Sequence, residues 1–171
     1  MATPRRNLIS VSNTPYYHCI SRCVRRAYLC GQDPLTGRSY EHRRGWVEKK
    51  LLQLGRIFCI DVCAYAVMSN HTHLVLHIDI AKAKRLNNKA ILIRWHKLFK
   101  STFLCQRFLN GELLTQTELA AVNARVNLYR ERLSSISWFM RVLNEGIARK
   151  ANQEDGCKGR FWEGRFKSQA L

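Results

Sequence analysis

Apolar positions along the chain change period several times, and each change marks an element. After Pro15, the run Tyr16 to Val24 is largely apolar or aromatic at odd and even positions alike, as in a strand inside a sheet. Gly31-Gln32-Asp33-Pro34-Leu35-Thr36-Gly37 is dense in turn formers and reads as a loop. From about Glu41 to Phe58 the pattern turns helical: Val47, Leu51, Leu54 and Phe58 share one face, with Arg43, Arg44, Lys49, Lys50 and Arg56 elsewhere on the circumference. Two β-branched and aromatic runs then fill Cys59 to Asp79 and meet at Ser69-Asn70, which predicts two antiparallel strands joined by a very tight turn.

Beyond Asp79 helical signals dominate. Ile91, Trp95, Leu98 and Thr102 form one stripe, and Thr115-x-x-Glu118 makes a capping box ahead of Leu119, Val122, Val126, Tyr129 and Leu133. That regularity suits a helical hairpin packed on the main domain or a coiled-coil partner surface. A further helix is expected over Ser134 to Asn152, with Ile136, Phe139, Met140, Leu143 and Ile147 buried, followed by a turn at 154–159. Gly159 to Ser168 then alternates cations with aromatics and ends in a strand. Setting aside residues 80–134 as a helical insertion leaves a β-α-β-β-α-β order, which predicts an α+β, ferredoxin-like sandwich with an antiparallel sheet. The first and third strands are central in that topology. The length suits one domain, 1–171, which opens with a polar lead-in over residues 1–14.

Charge narrows the partner. Twenty-nine Lys and Arg against twelve Asp and Glu leave a net charge of +17, which favours a polyanion. Arginine dominates the clusters, and its planar fork suits phosphate and base contacts better than a membrane surface. Arg22, Arg25 and Arg26 gather at the end of the first strand, and Arg160, Arg165 and Lys167 in the last segment; these six are the candidate DNA-binding residues. Phe161, Trp162 and Phe166 beside them are either a stacking platform for unpaired bases or buried core with the cations outside.

No apolar run reaches the roughly 18 residues of a membrane span. Arg5-Arg6 is followed by no secretory h-region, so a cytoplasmic, nucleoid-associated location is expected. The seven cysteines suit small buried hydrophobes in a reducing compartment. The Cys19/Cys23 and Cys59/Cys63 pairs are too widely spaced along strands to favour a four-thiolate zinc site.

The chemistry is expected at His71-Thr72-His73. On a strand, side chains two apart share a face, so these two imidazoles can share one divalent metal. A strand histidine otherwise hydrogen-bonds a neighbour, and His77 is a candidate for that ordinary role. With the basic surface, the pair suggests phosphodiester chemistry on nucleic acid.

The stretch Ala64-Tyr65-Ala66-Val67-Met68-Ser69-Asn70-His71-Thr72-His73-Leu74-Val75-Leu76 resembles the HUH signature of single-tyrosine transposases. Gly159-Arg160-Phe161-Trp162-Glu163-Gly164-Arg165-Phe166-Lys167-Ser168 resembles their downstream block, and Tyr17-His18, Ser21-Arg22 and Arg25-Arg26 resemble the first strand of the branch related to REP-associated tyrosine transposases. The resemblance implies cleavage and strand transfer on single-stranded DNA, with Mg2+ or Mn2+ on His71 and His73 and a tyrosine forming a 5′-phosphotyrosine. It also implies a DNA hairpin beside the cleavage site and a homodimer as partners. The nucleophile in that family lies in a Tyr-x-x-x-Asn or Tyr-x-x-x-Gln context on a helix after the Arg-Phe-Lys-Ser strand. None of Tyr16, Tyr17, Tyr28, Tyr40, Tyr65 and Tyr129 has that context, so the catalytic tyrosine is expected beyond Leu171 in a longer gene product. A non-catalytic nucleic-acid-binding regulator derived from a transposase is the alternative. A histidine-triad nucleotide hydrolase is disfavoured because Val75 stands where its third alternating histidine belongs.

Overall fold

The structure, a computed structural model, describes residues 13–24 and 26–171; Arg25 and the lead-in up to residue 12 lie outside the described residues. The chain runs β1 (Tyr16–Arg22), α1 (His42–Ile57), β2 (Ile60–Val67), β3 (His71–Ile78), α2 (Ile80–Arg85), α3 (Asn88–His96), α4 (Phe103–Leu109), α5 (Gln116–Leu133), α6 (Ile136–Asp155) and β4 (Lys167–Ala170). The four strands form one antiparallel sheet in the order β2-β3-β1-β4. This is the ferredoxin-like α+β arrangement, with β1 and β3 in the middle.

Strand alternation decides which face is covered. Along β3, Thr72, Leu74, Leu76 and Ile78 are buried while His71, His73, Val75 and His77 are half-buried. Along β1, Tyr17, Cys19 and Ser21 are buried, leaving Tyr16, His18, Ile20 and Arg22 on the other side. Side chains of one parity point one way, so β1 and β3 share a covered face and an open face. The covered face meets α1 and α6. Val47, Leu51 and Leu54 of α1 and Phe139, Met140 and Leu143 of α6 are all buried, and Phe58 meets Phe139 edge to face at 5.3 Å. In β2 the pairing shifts between Val62 and Ala64, a bulge that breaks the strict alternation there.

Helix ends follow their expected chemistry. Thr115 and Glu118 form the reciprocal capping box of α5, and Ser135 caps α6. Gly156 ends α6 at φ 63°, a left-handed position that suits glycine. Glu154 and Asp155, expected in a turn, instead occupy the last turn of α6, where acidic groups oppose the helix dipole. Arg43 of α1 offsets that cost: its guanidinium reaches Asp155 at 2.5 Å and Glu154 at 3.6 Å. Burial alone would raise the Glu154 carboxyl, but the His42 hydrogen bond and the Arg43 charge outweigh it and hold it below its ordinary 4.5. A depressed carboxyl stabilises the fold above that value and ceases to do so as pH falls below it. Glu154→Gln is therefore expected to flatten the loss of urea resistance below about pH 4.5, as followed by denaturation at a series of pH values.

The insertion differs from the expected hairpin. It comprises four helices, and the stripe assigned to one helix is divided: Ile91 and Trp95 belong to α3, Leu98 lies beyond it, and Thr102 caps α4. The Val122, Val126, Tyr129 and Leu133 stripe of α5 packs within the chain, against α3, α4 and α6, rather than facing outward as a coiled-coil seam. Trp95 joins these helices, stacking on Tyr129 at 4.7 Å and meeting Trp138 of α6 edge-on at 5.4 Å.

The C-terminal block ends in the expected strand. Residues 159–166 are irregular apart from one bridge, Cys23 with Trp162, and β4 begins only at Lys167. Phe161 and Phe166 are buried, and the Trp162 indole N–H donates to the Asn144 carbonyl at 2.7 Å. Phe161 and Phe166 thus serve the core and Trp162 is half-buried, while Arg160, Arg165 and Lys167 are exposed. Trp and Phe gain more from burial against α6 than from open display on a loop.

Candidate metal and nucleic-acid site

The open face of the sheet brings the histidines together. Pairing sets Arg22 opposite His71 and Ile20 opposite His73, so side chains from β1 and β3 alternate across one surface. The His71 and His73 rings lie 4.9 Å apart at 75° to each other. The turn before them is pinned by main-chain bonds: Cys23 N–H donates to the Asn70 carbonyl at 2.8 Å and Leu29 N–H to the Ser69 carbonyl at 2.6 Å. From the other side, Glu163 N–H donates to the Arg22 carbonyl at 2.8 Å and Val24 N–H to the Phe161 carbonyl at 2.9 Å. The irregular block is thereby tied to the end of the sheet where the histidines stand.

Each of the two rings has its Nδ1 engaged. His71 Nδ1 is 2.7 Å from Asn70 Oδ1, and His73 Nδ1 is 2.9 Å from His18 Nε2. Among the described residues neither Nε2 has a hydrogen-bond partner, which leaves both for an external ligand. Burial, then the charges of His73 and Arg22, hold the His71 imidazole below its ordinary 6.5, so protons compete for it only at lower pH. His77, by contrast, is 3.0 Å from Asp61 and against the Tyr16 ring, which is the ordinary role expected of it. Among the described residues no three His, Cys, Asp or Glu side chains gather as a ready metal site, the cysteine pairs included. The donor set for a divalent ion is thus two imidazole nitrogens. An ion held by that pair would have to fill its remaining positions with water or phosphate oxygens.

One cavity is lined by this pair and a second adjoins it. One, of about 570 Å³, is lined by His71, His73, Arg22, Arg165, Lys167 and Glu163 among others. The next, of about 510 Å³, is lined by Arg22, Arg26, Arg160, Asn70, Tyr28 and Glu163 among others. Arg22 and Glu163 belong to both, so the cavities form one trough along the end of the sheet. Residues far apart in sequence converge there: Arg22, Arg26, Arg160, Arg165 and Lys167 all line it. Among the described residues none of these five forms an ion pair, whereas Arg43, Arg44 and Arg107 do. Unneutralised cations around one trough attract an anion. Arg26 also holds φ 68°, alone among the described non-glycine residues, an outlier of the kind that clusters at binding sites.

No tyrosine lines the cavity of His71 and His73. Tyr28 lines its neighbour, but its hydroxyl donates to Asp33 at 3.3 Å, and burial followed by the Asp33 charge raises the phenol above its ordinary 10. Cys23, in the same wall, has its thiol pushed up to about 12 by burial, so it too lacks a nucleophile's environment. Sequence reasoning missed Glu163, Asn70 and His18 at this site. The apolar character of β1 at odd and even positions alike hides the face of His18, and only the cross-strand register brings it to His73. The adjacency of Asn70 to His71 is the one signal in the sequence that pointed to its contact.

No family model matches the chain, and no curated protein matches it. Among solved structures, it is similar to a protein of Deinococcus radiodurans R1 that bears the name "putative transposase", with a TM-score of 0.42 and 10% identity, covering 91% of this chain and 78% of that one.

Proposed function

We propose that this chain is the DNA-binding and metal-binding domain of an HUH-type transposase of the branch related to REP-associated tyrosine transposases. The observation that carries the reading is the convergence of five unpaired cations and the open-faced His71/His73 pair on one trough. Arg22, Arg165 and Lys167, which line the cavity of the two histidines, bind the phosphates that flank the scissile bond, and Arg26 and Arg160, in the adjoining cavity, hold the strand beyond them. His71 and His73 would hold Mg2+ or Mn2+, each having its Nε2 without a partner among the described residues. When bound, that ion supplies Lewis acidity to the scissile phosphate. The attacking group is a tyrosine phenol, whose oxygen forms a bond to phosphorus as the 3′ oxygen leaves and takes up a proton. The products are a 5′-phosphotyrosine and a free 3′-OH. The six tyrosines of residues 1–171 do not supply that phenol. A tyrosine beyond Leu171 is proposed to do so.

Two results are expected. Affinity for a hairpin-bearing single-stranded oligonucleotide falls with salt by about 0.7 log unit per log unit for each phosphate neutralised, so about 3.5 for all five cations. Arg22→Ala or Arg165→Ala lowers that slope by about one contact; fluorescence anisotropy over a salt series measures it, and a flat dependence removes the trough from the account. With Mn2+ present, residues 1–171 bind this DNA but leave no covalent adduct on a denaturing gel. An adduct mapped to any of the six tyrosines would overturn the assignment of the nucleophile.

One observation favours a second reading. The absence of a tyrosine from the His71/His73 cavity suits a non-catalytic DNA-binding regulator. The two readings part on a single assay: only the transposase domain supports cleavage when a catalytic tyrosine helix is added after Leu171.

A further inference from the structure

We propose that Asn70 and His18 are positioning residues, Asn70 fixing the tautomer and orientation of His71 and His18 the orientation of His73, so that both rings can present an Nε2 lone pair to a divalent cation. The inference rests on the metal reading above and deepens it.

The two contacts differ in chemistry. The amide oxygen of Asn70 can only accept, so its 2.7 Å contact requires the proton of His71 on Nδ1 and leaves the Nε2 lone pair unprotonated. That ring is committed before any cation arrives. His18 and His73 are ambivalent. They lie on neighbouring central strands, His18 opposite Val75 and thus diagonal to His73 on the open face. Their rings stack at 5.1 Å and 13°, with His18 Nε2 2.9 Å from His73 Nδ1. One proton serves that contact. Carried by His73 Nδ1, it leaves His73 Nε2 as a ligand; carried by His18 Nε2, it forces the His73 proton to Nε2 and blocks it. His18 therefore both orients His73 and allows an alternative state that a cation must displace. A ligating histidine whose second nitrogen is held by an outer partner is the usual arrangement in metal sites, and loss of that partner weakens binding by about 10- to 100-fold.

The experiment uses the 1–171 chain with Mn2+ as the probe. Calorimetry compares wild type with Asn70→Ala, Asn70→Asp, His18→Leu and His18→Gln, while 15N chemical shifts of the histidine rings are read in the metal-free protein. The expected result is a 10- to 100-fold loss of Mn2+ affinity in Asn70→Ala and His18→Leu, with Asn70→Asp and His18→Gln restoring most of it because each keeps an acceptor oxygen. Without metal, wild-type His71 is the Nδ1–H tautomer and becomes a mixture in Asn70→Ala. Equal Mn2+ affinity in wild type, Asn70→Ala and His18→Leu overturns the inference and leaves the metal reading standing. No Mn2+ binding by wild type, with His71 still the Nδ1–H tautomer, sinks the metal reading and keeps the orienting role of Asn70. Should Asn70→Ala or His18→Leu fail to fold, the wild-type shifts decide: an Nε2–H tautomer at His71 overturns the inference outright.

Discussion

Replacing Arg43 with methionine is expected to cost about 3–5 kcal/mol of stability, the penalty for breaking a buried ion pair from one side. The Arg43 side chain is only 1% exposed and sits where α1, the loop before it and the end of α6 meet. It donates to the Tyr28 carbonyl at 3.0 Å and to Asp155, and its guanidinium lies 4.5 Å from the centre of the Tyr40 ring. Methionine fills most of the volume but supplies no donor, so the Tyr28 carbonyl loses its Arg43 donor and Asp155 is left with the longer Arg38 contact. Arg38 contacts the same two acids from the surface at 3.3 and 3.9 Å. Its replacement by alanine is expected to cost under about 1 kcal/mol, because an exposed pair is screened and held loosely. Urea denaturation of the two variants separates them. A folded domain has about 5–15 kcal/mol in all, so the loss in Arg43→Met would be a large share of it. If its urea midpoint matched that of Arg38→Ala, Arg43 would not be the clasp between the two helices.

That clasp shows where the sequence stops being legible. Helix α1 was readable from Val47, Leu51 and Leu54, because a stripe records a buried face within one element. Nothing in the same stretch distinguishes Arg43 from Arg44, one side chain buried and the other 41% exposed. The difference lies in α6, more than a hundred residues later. The sheet was readable for the same reason that α1 was: alternation in β3 and the Ser69-Asn70 break fix a hairpin, and the element order fixes which strands are central. The C-terminal block ends in the strand expected of it, but its alternation does not make residues 159–166 part of that strand, because cations and aromatics can keep a period of two in an extended loop as well. Its rings turn inward to α6 and its cations outward, which is the outcome of packing and not of local preference. The insertion was under-divided for a related reason. Thr102 fits a helical stripe by spacing, yet its hydroxyl accepts from Cys105 N–H and starts a new helix.

The candidate site was legible in part. His71 and His73 were found from spacing, and their shared face follows from strand geometry. Their partners were not, since His18 reaches His73 only through the diagonal register of β1 on β3. The five cations were named in two groups, and the cross-strand bonds between residues 22–24 and 161–163 bring the groups to one trough.

The second large effect concerns that pair of histidines. His71→Ala combined with His73→Ala removes both nitrogen donors and is expected to abolish Mn2+ binding, while much of the affinity for single-stranded DNA stays, because the five cations are untouched. Stability should change little: both side chains are half-buried on the open face and support no packed layer. The separation of metal affinity from DNA affinity is what distinguishes a metal site from two structural histidines in a basic groove.

Calorimetric titration of Mn2+ into wild type and into the His71→Ala, His73→Ala double variant tests this most directly. The account predicts one site in wild type and no measurable heat in the variant, with both proteins equally folded by circular dichroism. Equal binding by both, or none by wild type, would contradict it.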